Sequence, residues 1–310
     1  VTPETRTPET RTSETKTFDT KADRVARLAE TRALRPGAVA EASERRTKRA
    51  ELLGASGRLM LVAADHPARG ALAAGSDPLA MADRGELLDR LCVALERPGV
   101  DGVLGTPDVI EDLLLLGVLD GKVVIGSMNR GGLAGTSFEI DDRFTAYDAR
   151  AIAASRLDGG KMLLRVDDSD PATARTLEGC ARAVTALAGY GLMAMVEPFV
   201  SRRVDGRVRN DLSPEAMIRA VSVASGLGAT SARTWLKVPV VQDMERVMAA
   251  STLPALLLGG EVSADPRGTL EGWRRALRLP TVRGLVVGRS LLYPADGDVA
   301  GAVDAAVEVL

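Results

Sequence analysis

The stretch Arg233-Thr234-Trp235-Leu236-Lys237-Val238-Pro239-Val240-Val241 reads as a short apolar strand with one lysine near its carboxyl end. Similar short apolar runs recur at 59–64, 102–105, 123–126, 162–166, 193–196, 255–259 and 284–288, which makes eight strands in all. Between them lie segments with helical periodicity, at 80–96, 107–116, 144–157, 172–188, 214–225, 242–249 and 268–277, and a last one at 299–309. Continuous apolar strands alternating with helices predict βα units whose strands are buried on both faces of a parallel sheet. Eight units in about 250 residues match a (β/α)8 TIM barrel, an α/β fold. The competitor is an open doubly wound sheet, but no GxGxxG follows the first run. The barrel is therefore the expectation, over residues 58–310.

Upstream, Val25, Leu28, Ala29 and Ala33 are spaced for one helix face, and Pro36-Gly37 divides residues 22–57 into two helices expected to cap one end of the barrel. Residues 1–21 repeat a pentad: Thr2-Pro3-Glu4-Thr5-Arg6, Thr7-Pro8-Glu9-Thr10-Arg11, Thr12-Ser13-Glu14-Thr15-Lys16 and Thr17-Phe18-Asp19-Thr20-Lys21. With almost no apolar side chains to offset the entropy of ordering, they read as a disordered low-complexity tail. They lack the apolar centre of a secretory signal, and their acidic residues do not suit a mitochondrial presequence. A docking or phosphorylated tail is the functional alternative.

Composition narrows the partners. Lys+Arg 40 against Asp+Glu 42 gives a net charge of -2, so no global field draws the chain to nucleic acid or to an anionic membrane. The longest apolar runs, such as Leu113 to Leu116, fall far short of the roughly 20 residues of a membrane span. Cys92 and Cys180 lie in helical segments and read as buried thiols, which suits a reducing cytoplasm. One histidine, two cysteines and neither CxxC nor HExxH leave little material for zinc, so neither a metal nor a cofactor is expected. The expected partner is a small molecule, and barrels of this kind commonly assemble as homo-oligomers.

In a barrel the chemistry gathers at the carboxyl ends of strands. Lysines are scarce: Lys16, Lys21, Lys48, Lys122, Lys161 and Lys237 are all there are. Lys122 opens the third strand and reads as a solvated surface charge, which leaves Lys161 and Lys237 within the barrel. A buried lysine without a counter-ion loses solvation, its pKa falls, and the neutral amine becomes a nucleophile toward carbonyls. The plainer reading of Lys237 is a salt-bridged lysine that orients a catalytic acid, and Lys161, at the start of its strand, could sit too low to reach a substrate. Period-two alternation puts Lys161, Arg165 and Asp167 on one face of the fourth strand. Glu197, before Pro198, and Asp65 are each either a proton shuttle or a buried partner for a cation. His66 is the sole histidine, so no Ser-His-Asp triad exists without it. Arg69 and Asn129, in the loops after the first and third strands, join Arg165 as expected substrate contacts. Gly259-Gly260-Glu261 and Gly288-Arg289-Ser290 follow the seventh and eighth strands, where barrels bind phosphate through backbone N–H groups; otherwise these glycines are tight turns.

Taken in order, several motifs carry a resemblance. They are Asp65-His66-Pro67-Ala68-Arg69-Gly70, Gly160-Lys161-Met162-Leu163-Leu164-Arg165-Val166-Asp167, Val196-Glu197-Pro198, Leu236-Lys237-Val238-Pro239-Val240, Leu257-Leu258-Gly259-Gly260 and Val286-Val287-Gly288-Arg289. Over residues 59–293 the chain resembles class I (Schiff-base) aldolases of the tagatose-bisphosphate aldolase and archaeal-type fructose-bisphosphate aldolase group. The resemblance implies Lys237 as the Schiff-base lysine, Glu197 as acid/base, Asp65 and Lys161 as supporting charges, and the two glycine motifs as a phosphate site. It departs at Arg165, where that group usually has tyrosine; an arginine there suits the carboxylate of a sugar-acid phosphate. A similar barrel family accompanies inositol breakdown in some bacteria, which adds 5-dehydro-2-deoxygluconate 6-phosphate to ketose bisphosphates and deoxyribose phosphate as substrates to consider. The expected activity is C–C cleavage or formation on a phosphorylated sugar or sugar acid. A lysine-dependent isomerase or lactone hydrolase of sugar-acid metabolism, and a catalytically silent barrel that binds a phosphorylated metabolite, are the alternatives.

Overall fold

Eight parallel strands close into a barrel in the computed structural model, which describes residues 20–263 and 265–310. They are β1 (Leu59–Ala64), β2 (Gly102–Gly105), β3 (Val123–Ser127), β4 (Gly159–Val166), β5 (Met193–Val204), β7 (Thr234–Pro239), β8 (Ala255–Leu258) and β9 (Val282–Val287); a ninth strand, β6 (Arg207–Asp211), runs antiparallel to β5. The hydrogen-bonded order is β4-β3-β2-β1-β9-β8-β7-β5, and pairing of β4 with β5 closes the ring.

The uninterrupted apolar runs reflect two different buried faces. Leu59, Leu61 and Ala63 of β1, Ile125 of β3, Met193 and Met195 of β5, Trp235, Leu256 and Val286 fill the barrel interior. Met60, Val62, Leu236, Val238, Leu285 and Val287 face outward, into the larger core between strands and helices. Each such large side chain contributes about 1.5–3 kcal/mol when fully buried. Gly284 allows β1 and β9 to approach: a Cβ there would lie 1.9 Å from the Leu59 carbonyl oxygen, and its φ is +137°. Carried upward, the inward parity changes from apolar to charged, and Asp65, Lys161, Glu197 and Lys237 follow on the same faces as Ala63, Gly159, Met195 and Trp235. Period two thus stacks an ionic layer above the apolar plug.

The helix Lys21–Leu34 begins with a capping box between Thr20 and Asp23 and packs on the helix Arg84–Glu96. The next helix, Ala38–Arg45, packs on Pro107–Leu115. The first packs along the flank of the barrel; the second also reaches the loops before β3 and β4, where Ser43 donates to the Ser155 carbonyl and Arg46 to the Lys122 carbonyl, and Leu52 and Leu53 pack against the interior cluster. Residues 1–19 of the expected tail lie outside the described residues, and Lys21 already belongs to the first helix.

Two departures from the sequence pattern shape the mouth. The helix expected over 144–157 is confined to Ala149–Ala154, capped by Asp148, because the residues before it form a long loop anchored by buried charges. β5 runs well past 196 and turns back as β6. The turn is Asp205-Gly206, with φ +50° and +76°, the two positive values that a type I′ hairpin requires. Lys122, expected as a surface charge, is partly buried and donates from Nζ to the Val100 carbonyl at 2.7 Å.

Candidate active site

A cavity of ≈ 620 Å³ opens at the carboxyl ends of the strands, and its floor is the ionic layer. At the end of β1, Asp65 accepts hydrogen bonds at Oδ2 from Arg130 Nη2 (2.6 Å), Lys161 Nζ (3.1 Å) and Ser127 Oγ (3.1 Å). Lys161, reaching up from the start of β4, also meets Glu197 Oε2 at 2.5 Å. The other oxygen of Glu197, Oε1, lies 3.2 Å from Lys237 Nζ. Asp65, Lys161, Glu197 and Lys237 thus form one chain of contacts across the barrel, and all four line the cavity. Three cations, counting Arg130, face two carboxylates, so the cluster holds one surplus positive charge when every group is ionised.

Burial and pairing compete at each member. Burial raises the Asp65 carboxyl, but Arg130, Lys161 and Lys237 outweigh it and hold the group well below the usual carboxylate range. Burial likewise raises Glu197, and Lys161 and Lys237 reverse the effect, taking it down to about 2. For Lys161 burial wins: its ammonium is lowered to about 8 although Asp65 and Glu197 favour the charged form. His66, 4.0 Å from Asp65 at Nδ1, is lowered to about 3 by burial, against Asp65, and is neutral near pH 7.

Other expected contacts divide. Gly259, Gly260, Gly288 and Arg289 all line the cavity beside Lys237. Gly260 has φ +68°, and a Cβ on Gly288 would lie 2.5 Å from the Ala63 carbonyl, so both backbones need glycine. Arg165 lines the cavity and pairs at 2.8 Å with Glu139 from the long loop after β3. Arg69 also reaches the cavity, but its guanidinium donates to the Gly132 and Asn129 carbonyls and to Asp142, tying down that same loop. Asn129 does not line the cavity; it is fully buried, with its amide accepting from Leu163 N (2.8 Å) and donating to Leu163 O (2.6 Å).

Arg130, which the sequence pattern did not single out, is the buried partner of Asp65. Alternation along β3 favours Asn129 over Arg130 for the inner face, but the strand ends at Ser127, after which parity no longer applies. The β5–β6 hairpin brings Val208, Arg209, Asn210 and Leu212 to the cavity; the turn pair Asp205-Gly206 was its available signal. Among the described residues, no three His, Cys, Asp or Glu side chains converge to hold a metal ion, and no helix is long and apolar enough to cross a membrane.

The closed eight-stranded barrel with its ionic cluster at the strand ends has the fold of class I aldolases. Over 87% of this chain and 99% of the other, it matches the structure of a Schiff-base-forming fructose-1,6-bisphosphate aldolase, with a TM-score of 0.62 and 19% identity. An archaeal fructose-1,6-bisphosphate aldolase whose catalytic lysine carries a carbinolamine intermediate matches with a TM-score of 0.63 and 18% identity, over 87% and 98% of the two chains. Residues 57–307 match the Cgl0159-like family, and the chain belongs to that family. The crystal structure of Cgl0159 from Corynebacterium glutamicum is similar at 55% identity and a TM-score of 0.90, over 93% of this chain and 96% of that one. Among curated protein sequences none matches.

Proposed function

We propose that this protein is a class I aldolase that breaks or makes a C–C bond of a phosphorylated sugar or sugar acid through an imine on Lys237. The observation that carries the reading is the unequal pairing of the two buried lysines. Lys161 is held between two carboxylates, at 2.5 and 3.1 Å, whereas among the described residues the one carboxylate within reach of Lys237 is Glu197, at 3.2 Å. Lys237 is the amine freer to turn toward a bound ketone.

In the cleavage direction, Lys237 Nζ adds to the substrate carbonyl and water leaves, giving a protonated imine. The electrons of the adjacent C–C bond flow into that imine as a hydroxyl proton is removed, so an aldehyde departs and an enamine remains. Protonation of the enamine carbon and hydrolysis then return the lysine. Glu197, in contact with both lysines, is positioned to carry protons to and from the nitrogen, and Asp65 with Arg130 holds Lys161 against it. The backbone at Gly259, Gly260 and Gly288, with Arg289, is suited to a phosphate. Arg165 already holds the Glu139 carboxylate, and a sugar-acid carboxylate would compete for the same guanidinium.

The test is turnover of fructose 1,6-bisphosphate, 5-dehydro-2-deoxygluconate 6-phosphate and 2-deoxyribose 5-phosphate by the wild type, Lys237→Met and Lys161→Met. Aldehyde release from at least one compound, abolished in the folded Lys237→Met, supports the reading. Near-full activity of Lys237→Met refutes it, and activity lost only in Lys161→Met moves the imine to that lysine.

A further inference from the structure

Of the arginines that line the cavity, two stand on well-separated arcs of the ring. Arg289 follows β9, and Arg209 sits on the β5–β6 hairpin; in the closed order β1-β2-β3-β4-β5-β7-β8-β9 these elements stand three strand positions apart out of eight. Lys237, on β7, lies between them. The hairpin is rich in arginine, yet its members differ. Arg202 pairs with Asp211, and Arg203 reaches Asp170 at 3.2 Å and the Ser137 carbonyl at 2.6 Å. Arg209 lines the cavity, and its side chain makes no hydrogen bond or ion pair among the described residues.

Its register makes this costly. Arg209 stands directly opposite Arg202 across the antiparallel pair, and like charges so placed destabilise a hairpin. Asp211 offsets the charge of Arg202 only. An anion delivered through the cavity would offset the charge of Arg209. Asn210, whose Oδ1 accepts from Ser201 Oγ at 2.9 Å, and Val208 and Leu212 line the cavity beside it.

We propose that Arg209 is a specificity-determining residue that binds a second anionic group, phosphate or carboxylate, at the end of the substrate remote from the phosphate held at Gly259, Gly260, Gly288 and Arg289. The ligand is then a doubly anionic chain that spans the mouth with its middle over Lys237, and the hairpin measures its length. The inference rests on the proposed site, but not on imine chemistry.

The test is calorimetric binding of three compounds to the wild type and to Arg209→Gln. Fructose 1,6-bisphosphate carries phosphate at both ends, 6-phosphogluconate carries phosphate and carboxylate, and fructose 6-phosphate carries one phosphate. The expected result is tighter wild-type binding of at least one double anion than of fructose 6-phosphate. Arg209→Gln should weaken that double anion by about 10- to 100-fold, as for a lost hydrogen bond to a charged group, and change fructose 6-phosphate by less than about 2-fold. Which double anion loses affinity identifies the group bound. Equal losses for all three compounds, no loss for either double anion, or no wild-type preference for a double anion overturns the proposal. Binding requires no turnover, so a protein that forms no imine but shows this selective loss would sink the aldolase reading and leave the Arg209 subsite standing.

Discussion

Replacing Glu197 by glutamine keeps the shape of the side chain and removes the charge that both barrel lysines share. The carboxyl is lowered from 4.5 to about 2 in the folded protein because Lys161 and Lys237 outweigh its burial. At about 1.4 kcal/mol per pH unit, that favours the folded protein by about 3 kcal/mol at pH 7. The folded group ionises at lower pH than the unfolded one, so the contribution is complete above about pH 4.5 and is lost as the pH falls through about 2. Urea titrations of the wild type and Glu197→Gln should therefore differ by about 3 kcal/mol at pH 7, with the gap narrowing to about half by pH 3. As a proton carrier, Glu197 should also account for about 10²- to 10⁴-fold in turnover. A difference below about 1 kcal/mol at pH 7, or one that does not change with pH, would refute the claim that both lysines charge-stabilise Glu197.

Two further substitutions separate scaffold from site. Gly284→Ala drives a methyl group to 1.9 Å from the Leu59 carbonyl at a φ of +137°, and should cost about 3 kcal/mol or more, read as a lower urea midpoint. Asn129→Ala strips both backbone contacts from Leu163 in a fully buried site and should cost about 2–3 kcal/mol, while the KM of any substrate stays within about 2-fold; a large KM change with normal stability would return Asn129 to substrate binding.

The fold was legible because its period is strong: eight apolar runs separated by helical segments correspond to the eight barrel strands, each found within a few residues of its expected bounds except for the extended end of β5. Lys161, Glu197 and Lys237 were legible as charges interrupting otherwise apolar strands, and their convergence follows from inward parity around a closed ring. What escaped lies where parity stops. Arg130, Glu139 and Asp142 belong to the long loop after β3, whose shape is set by tertiary ion pairs with Asp65, Arg165 and Arg69 that no local spacing encodes. β6 escaped because its exposed, arginine-rich strand has no apolar face to show a period, and only Asp205-Gly206 marked it.

An imine on Lys237 is a covalent bond, and borohydride reduction traps it. The protein is incubated with dihydroxyacetone phosphate and, separately, with 5-dehydro-2-deoxygluconate 6-phosphate, reduced, digested and mapped by mass. A reduced adduct is expected on the peptide that carries Lys237, absent in Lys237→Met. Folded protein that binds these ligands yet carries no adduct, or carries it only on Lys161, would contradict an imine on Lys237.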